Sequence, residues 1–248
     1  MFKLLHPTEL FNFVTDKLGL FNFRARIALG MLNKKAEKCK NTDDYIALSN
    51  EVFQHFPYRY FGWPIKRAQV HEEIETLLAK ICDIKVNTML EIGTFNGGTL
   101  FLFSKMVNSD AKIISLDMPG GRWGGGYEKF KLPFYTNFAH GTQKIYLIRA
   151  NSHSPSSLQK VESILKGETI DFLFIDGDHS YDGVKADFEM YGQLVRKGGL
   201  IVFHDICIHP AAECNVSSFW SEIKQSYKHE EIIKNPAQNW AGIGLIYS

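Results

Sequence analysis

The chain has 248 residues, 45% hydrophobic and 22% charged, with 20 glycines and 8 prolines. These are globular values that exclude fibrous and low-complexity classes. Lys plus Arg (28) nearly cancels Asp plus Glu (27), leaving a formal charge of +1, so no general attraction to nucleic acid or acidic lipid is expected. Cys39, Cys82, Cys207 and Cys214 show no C-x-x-C spacing, no leader-like stretch opens the chain, and no apolar run approaches the roughly 20 residues that span a bilayer. Reduced thiols, a cytoplasmic location and no stable membrane insertion are the expectations.

Residues 1–62 read as a helical N-terminal appendage. Lys3, Lys17, Arg24, Arg26, Lys34, Lys35, Lys38 and Lys40 there oppose only Glu9, Asp16 and Glu37, and Phe2, Phe11, Phe13, Phe21 and Phe23 are interleaved. Such a segment either packs on its own domain or offers a face to a membrane surface or a second copy of the chain, so a homo-oligomer stays open. Pro57, Gly62 and Pro64 interrupt it and put a boundary near Trp63, with residues 63–248 as the catalytic domain. Val70, Ile74, Leu77, Leu78 and Ile81 mark one apolar helix face.

Short apolar runs then alternate with helical patterns: 88–92, 112–116, 145–149, 170–175 and 200–203 read as strands apolar on both faces, as in a parallel sheet covered by helices. Val184, Phe188, Tyr191 and Val195 share a helix face that Lys197-Gly198-Gly199 ends. After Asp205, Val216, Phe219, Trp220 and Ile223 line another helix, and 231–234 with 243–247 make a closing strand pair. The fold class is α/β: a Rossmann-like, doubly wound, mostly parallel sheet with an antiparallel C-terminal strand, plus the N-terminal helical segment.

The run Leu90-Glu91-Ile92-Gly93-Thr94-Phe95-Asn96-Gly97-Gly98-Thr99 is a strand entering a Gly-rich turn and then a helix. Glycines there admit a ligand that a Cβ would exclude. The spacing is G-x-x-x-G-G, unlike the dinucleotide fingerprint G-x-G-x-x-G, and Glu91 stands just before it. A carboxylate beside the turn disfavours a phosphate and suits a cationic sulfonium, which favours S-adenosyl-L-methionine (SAM) over NAD. Asp117, ending the next strand, can accept from both ribose hydroxyls.

With SLDMPGGRWGGGY, FIDGDHSYDGVKADF and GGLIVFHDI, this motif resembles the class I SAM-dependent methyltransferases. Within them it is similar to the branch of macrocin O-methyltransferase-like and cephalosporin-hydroxylase-like proteins, and the likeness covers about 63–248. The resemblance implies that Glu91, Gly93, Thr94 and Gly97 serve the methionine end of SAM, that Asp117 holds the ribose, that Asn151 and Ser152 lie near the adenine, and that Asp176 borders the cofactor.

Asp176-Gly177-Asp178-His179 follows one strand and His204-Asp205 the next, so adjacent strand ends bring these side chains to one crevice. Asp176, His204 and Asp205 are the expected ligands of Mg²⁺ or another divalent cation. Metal-dependent O-methyltransferases carry an acidic or amide pair where His204-Asp205 stands, so His204 departs from the pattern; the competing reading is that Asp178 and Ser180 cap the next helix and no metal binds. The resemblance also makes His179 the general base, with Asp176 beside it. Cys207, His209 and Cys214 with His204 lack zinc-site regularity.

The loop Pro119-Gly120-Gly121-Arg122-Trp123-Gly124-Gly125-Gly126-Tyr127 suits a lid with aromatic and Arg tips, or a surface turn. His140 and His153 have no motif context. The reading that results is a SAM-dependent O-methyltransferase for a small hydroxylated acceptor such as a sugar or natural product, metal-assisted. Its rivals are a metal-independent N- or O-methyltransferase and a SAM-binding protein without transferase activity.

Overall fold

Alternation along five short apolar runs decides the architecture. The computed structural model describes residues 29–51, 67–121 and 126–248. The boundary near Trp63, the basic and aromatic stretch before residue 29, and Arg122, Trp123, Gly124 and Gly125 of the expected lid lie outside the described residues. Residues 29–36 are helical. The elements after them are α1 (Thr42–Glu51), α2 (His71–Asp83), β1 (Thr88–Ile92), α3 (Gly98–Met106), β2 (Lys112–Asp117), α4 (Leu132–Thr136), β3 (Lys144–Arg149), α5 (Pro155–Leu165), β4 (Ile170–Ile175), α6 (Tyr181–Tyr191), β5 (Val195–His204), α7 (Val216–Ile223), β6 (Lys228–Ile232) and β7 (Ile243–Tyr247).

The seven strands form one sheet in the order β3-β2-β1-β4-β5-β7-β6. Strands β1 to β5 run parallel, and β7 lies antiparallel between β5 and β6. Successive side chains of a strand point to opposite faces. In β4, Phe172 and Phe174 enter one core layer, whereas Ile170, Leu173 and Ile175 enter the other. The same division separates Leu200 and Val202 from Ile201 and Phe203 in β5. Helices α2 and α3 cover the first face and α5, α6 and α7 the second, so both are shielded from water, as a parallel sheet requires. Phe103 of α3 stands 5.1 Å, centroid to centroid, from both Phe172 and Phe174; burying one such ring is worth about 1.5–3 kcal/mol. Leu32, Ile46 and Leu48, from the segment expected as an appendage, join this first core layer.

Two elements differ from the sequence pattern. Helix α6 ends at Tyr191, a 3-10 turn covers Gly192–Leu194, and Val195 already pairs with Ile170 in β5. Lys197-Gly198-Gly199 therefore sits inside a strand, where Gly198 (φ +74°) absorbs a register shift, and Arg196 Nε holds Asp171 Oδ1 at 2.5 Å. Strand β6 begins at Lys228, ahead of the expected 231–234, because an edge strand tolerates polar residues on both faces.

Chain order turns back between β1 and β4: the chain winds outward through β2 and β3, then returns to β4 on the other side. Ligand crevices in open α/β sheets form at such a reversal, beyond the carboxyl ends of the strands.

Candidate active site

The loop after β1 crosses that reversal. Gly93 has φ +86°, and a Cβ there would stand 1.9 Å from the backbone oxygen of Asp176. Only glycine lets the β1 loop and the end of β4 pass this closely. Gly93 N–H donates to Leu116 O and Asp176 N–H to Ile92 O, so three strand ends are tied at one point. Gly97, φ +75°, is the N-cap of α3, and the Tyr135 ring occupies the place of its missing Cβ.

Asp117 Oδ2 accepts the backbone N–H groups of Thr94 at 2.9 Å and Phe95 at 2.7 Å. Burial pushes its pKa up against these hydrogen bonds. Beneath the loop Glu91 is fully buried: Thr94 Oγ1 donates to its Oε2 at 2.6 Å, and Oε1 has no hydrogen-bond partner. Burial raises its pKa to about 8, so it is largely neutral at pH 7. Thr94 Oγ1 also meets Ser115 Oγ, which reaches the Tyr127 hydroxyl. Tyr127 is fully buried and its backbone oxygen accepts from Arg149 Nε, which makes it an anchor of the loop rather than one of the aromatic lid tips expected there.

Two adjoining hollows meet at this loop. The first is lined by Asp117, Asn151, Ser152, His153, Asp178 and Ser180, the second by Arg67, Gln69, Thr94, Asp176, His179, His204 and Asp205; Gly93, Asp117 and Gly177 belong to both. Their cavity volumes are about 190 and 310 Å³, so the two together reach the range of small-molecule sites. Glu91 and Gly97 border neither hollow and act on the cleft through the loop. Asn151 and Ser152 stand in the first hollow, at the end of β3.

The ends of β4 and β5 bring four titratable groups together. His204 Nδ1 lies 3.1 Å from Asp176 Oδ1 and 3.4 Å from Asp205 Oδ1; His179 Nε2 is 3.3 Å from Asp176 Oδ1, and its Nδ1 is 3.3 Å from Asp205 Oδ2. Asp205 takes a left-handed backbone conformation, φ +61°, and accepts the Ala241 N–H. Burial disfavours charge on both histidines, yet the hydrogen bond and charge of Asp176, with Cys214 and Asp205, lift His179 to about 10, and Asp176 and Asp205 raise His204 well above its usual range. Burial likewise opposes ionisation of Asp176, but the cation of His204 and the hydrogen bond from His179 hold its carboxyl below the usual range. With both imidazoles protonated, the two carboxylates are electrically balanced.

Asp176, His204 and Asp205 each offer a ligand atom, all within 4.8 Å of one another, and so do His179, Asp205 and Cys214. His204 Nε2 is buried without a partner. Ser180 caps α6 by accepting the Gly183 N–H, and Asp178 Oδ1 accepts the Ser180 N–H. Capping therefore falls to Asp178 and Ser180, while Asp176 turns to the histidines. Cys207 lies apart, beside Gln238 and Gly242.

Three contributors escaped the sequence reading. Gln69 Nε2 donates to Asp176 Oδ2 at 2.8 Å from more than a hundred positions upstream. Arg67 lines the second hollow. His153 Nε2 lies 3.3 Å from Oδ1 of the fully buried Asp187, and that carboxylate raises its pKa. None carries a local motif.

Residues 90–206 match a family described as a methyltransferase domain. This stretch is similar to that family's domain. It holds Glu91 to Gly97, Asp117, Asn151, Ser152, Asp176, His179, His204 and Asp205. The chain is 38% identical over 120 residues to an uncharacterized protein of Acanthamoeba polyphaga mimivirus, covering 48% of this chain and 51% of that one. It is 32% identical over 132 residues to probable caffeoyl-CoA O-methyltransferase 3 of Dictyostelium discoideum, covering 53% and 47%. The chain thus spans about half the length of the curated relatives it matches. An O-methyltransferase from Bacillus cereus, solved in complex with SAH, shares the fold at TM-score 0.56 and 18% identity over 85% of this chain and 92% of that one. No helix among the described residues is long and apolar enough to cross a membrane.

Proposed function

We propose that the protein is a SAM-dependent O-methyltransferase acting on a hydroxyl of a small molecule, a sugar or natural product in the narrower reading. Residues 63–248 carry the activity and 1–62 form the appended segment. One observation carries this reading: a single cleft joins the glycine loop and Asp117 to the Asp176–His179–His204–Asp205 cluster through shared walls at Gly93 and Gly177. A sulfonium methyl donor and a hydroxyl acceptor need such adjoining compartments, because methyl transfer depends on in-line positioning. Solved relatives bound to SAM or SAH support the choice of cofactor.

In this reading Gly93, Thr94 and Asp117 hold the donor, Asn151 and Ser152 flank its adenine, and Glu91 and Gly97 shape the loop. To receive ribose hydroxyls, Asp117 shares a carboxylate that already accepts backbone amides, those of Thr94, Phe95 and Gly126 among them. His179 takes the acceptor's proton, oriented by Asp176 and Asp205, once it has given up the proton those carboxylates hold on it. Two carboxylates and an imidazole fit a divalent cation, which His204 would join after giving up the proton that Asp176 and Asp205 hold on it. Asp176, His204 and Asp205 would hold it. When bound, such a cation supplies Lewis acidity that lowers the pKa of the acceptor hydroxyl. The charge balance of the cluster favours a second reading, transfer without metal.

The test is calorimetry with SAM and SAH, followed by transfer of labelled methyl from SAM to a panel of hydroxylated sugars and phenols with and without chelator. Tight SAH binding with chelator-sensitive transfer is the expected result; chelator-resistant transfer selects the metal-free reading, and absence of SAM and SAH binding overturns both.

A further inference from the structure

One charged group in the cleft has no task in that reaction. Arg67, just before α2, lines the second hollow next to Gln69, Thr94 and Asp176. It is only 6% exposed. Its Nη1 donates to the backbone oxygen of Gln69, while Nε is buried without a partner. No carboxylate pairs with it among the described residues. Glu72, the acid whose charge it feels most, is bound by Lys234, and Asp176 is already met by Gln69 and two histidines. Beside it a second orphan, Gln69 Oε1, is a buried acceptor without a donor.

A buried cation without a counterion is expensive, and buried polar groups are nearly always satisfied. Here the protein leaves both vacancies on one short segment at the wall of a cleft that a ligand fills. Guanidinium presents a fixed fork of donors matched to carboxylate and phosphate. We propose that Arg67 receives an oxyanion, a carboxylate or a phosphate, carried by a molecule in the cleft, and that Gln69 Oε1 takes an adjacent N–H or O–H of the same molecule. The inference rests on the proposed function for the cleft's occupants. Two of them can bring the oxyanion: SAM through its amino-acid end, or the acceptor, which is then an acidic hydroxylated molecule such as a hydroxy acid or a sugar phosphate.

The test uses the full chain and the variants Arg67→Gln and Arg67→Lys. SAH and 5′-methylthioadenosine, which lacks the amino acid, are titrated by calorimetry, and inorganic phosphate and acetate are titrated into the SAH complex while its Tm is followed. If Arg67 holds the cofactor's carboxylate, Arg67→Gln weakens SAH at least tenfold and leaves methylthioadenosine unchanged. If it holds the acceptor's oxyanion, SAH binds the variant as before, but a rise of a few degrees in Tm with phosphate or acetate, present in the parent protein, is lost. Should both ligand responses be the same in parent and variant, the proposal is overturned. Where Arg67→Gln does not fold, the Nε–H resonance of Arg67 in the parent, assigned with Arg67→Lys, decides: it moves on adding SAH or phosphate, or the proposal fails. A parent that binds no SAH overturns the cofactor assignment, and the phosphate and acetate titration of the unliganded protein then decides for Arg67 alone.

Discussion

Glu91 is a carboxyl group shut away from water, and its proton links the loop to pH. Its folded pKa of about 8 lies above the ordinary carboxylate value of 4.5 because burial penalises the anion. Between those values the folded state keeps a proton that the unfolded chain has released, so this group's contribution to stability is complete below about pH 4.5 and is lost as pH rises toward 8. Glu91→Gln, which keeps the shape without the titration, should gain on the parent by about 1 kcal/mol per pH unit across that window. Thermal melts of both proteins from pH 5 to 8 check this, and a constant gap in Tm would contradict it. At the other end of the cleft, Asp176→Asn and Asp205→Asn are each expected to remove Mn²⁺ binding measured by calorimetry together with methyl transfer. His179→Ala is expected to retain the metal and lose about 10² to 10⁴ in rate, the usual worth of a general base. These residues were legible in the sequence because each follows a strand end closely. Gln69 and Arg67 were not, since no local motif marks either, and Asp176, the partner of Gln69, stands 107 positions along the chain.

Among the elements, the crossing of the β1 loop over the end of β4 is the tightest joint. Gly93→Ala puts a methyl into the Asp176 backbone at a left-handed φ, and should cost at least about 3 kcal/mol, the sum of overpacking and strain. At about 2–4 °C per kcal/mol for a chain of this size, Tm should fall by roughly 6–12 °C or folding should fail. Gly120→Ala is the control: its φ is also positive, +69°, but among the described residues nothing lies within 4 Å of the new methyl, so only about 1 kcal/mol of strain is expected. Equal losses in the two variants, read by calorimetric melting, would show that space at Gly93 is not the constraint. The strands of this joint could be read from sequence because both their faces are apolar. The start of β5 could not: Val195 fits a helix face as well as a strand, and Gly-Gly, usually a stop signal, here marks a bulge inside the strand.

For the whole molecule, the reversal of strand order sets where chemistry can occur, and the run of strands and helices in the sequence implied that reversal before any residue was assigned a role. The two core layers enclose the five parallel strands and β7, and β6 extends the sheet at the margin beside it. Among the described residues, strand β6 leaves one row of backbone N–H and C=O groups unclaimed by any strand, and its sequence from Lys228 to Glu231 is Lys-His-Glu-Glu. A second molecule approaching this margin to lengthen the sheet must strip water from those charges, so the strand that widens the protein also stops it from growing into a fibre. Lys228→Ile with His229→Val should therefore leave the circular dichroism of the fresh protein intact while light scattering rises with concentration and time, and clear solutions of the double variant at high concentration would show that the margin is guarded in some other way.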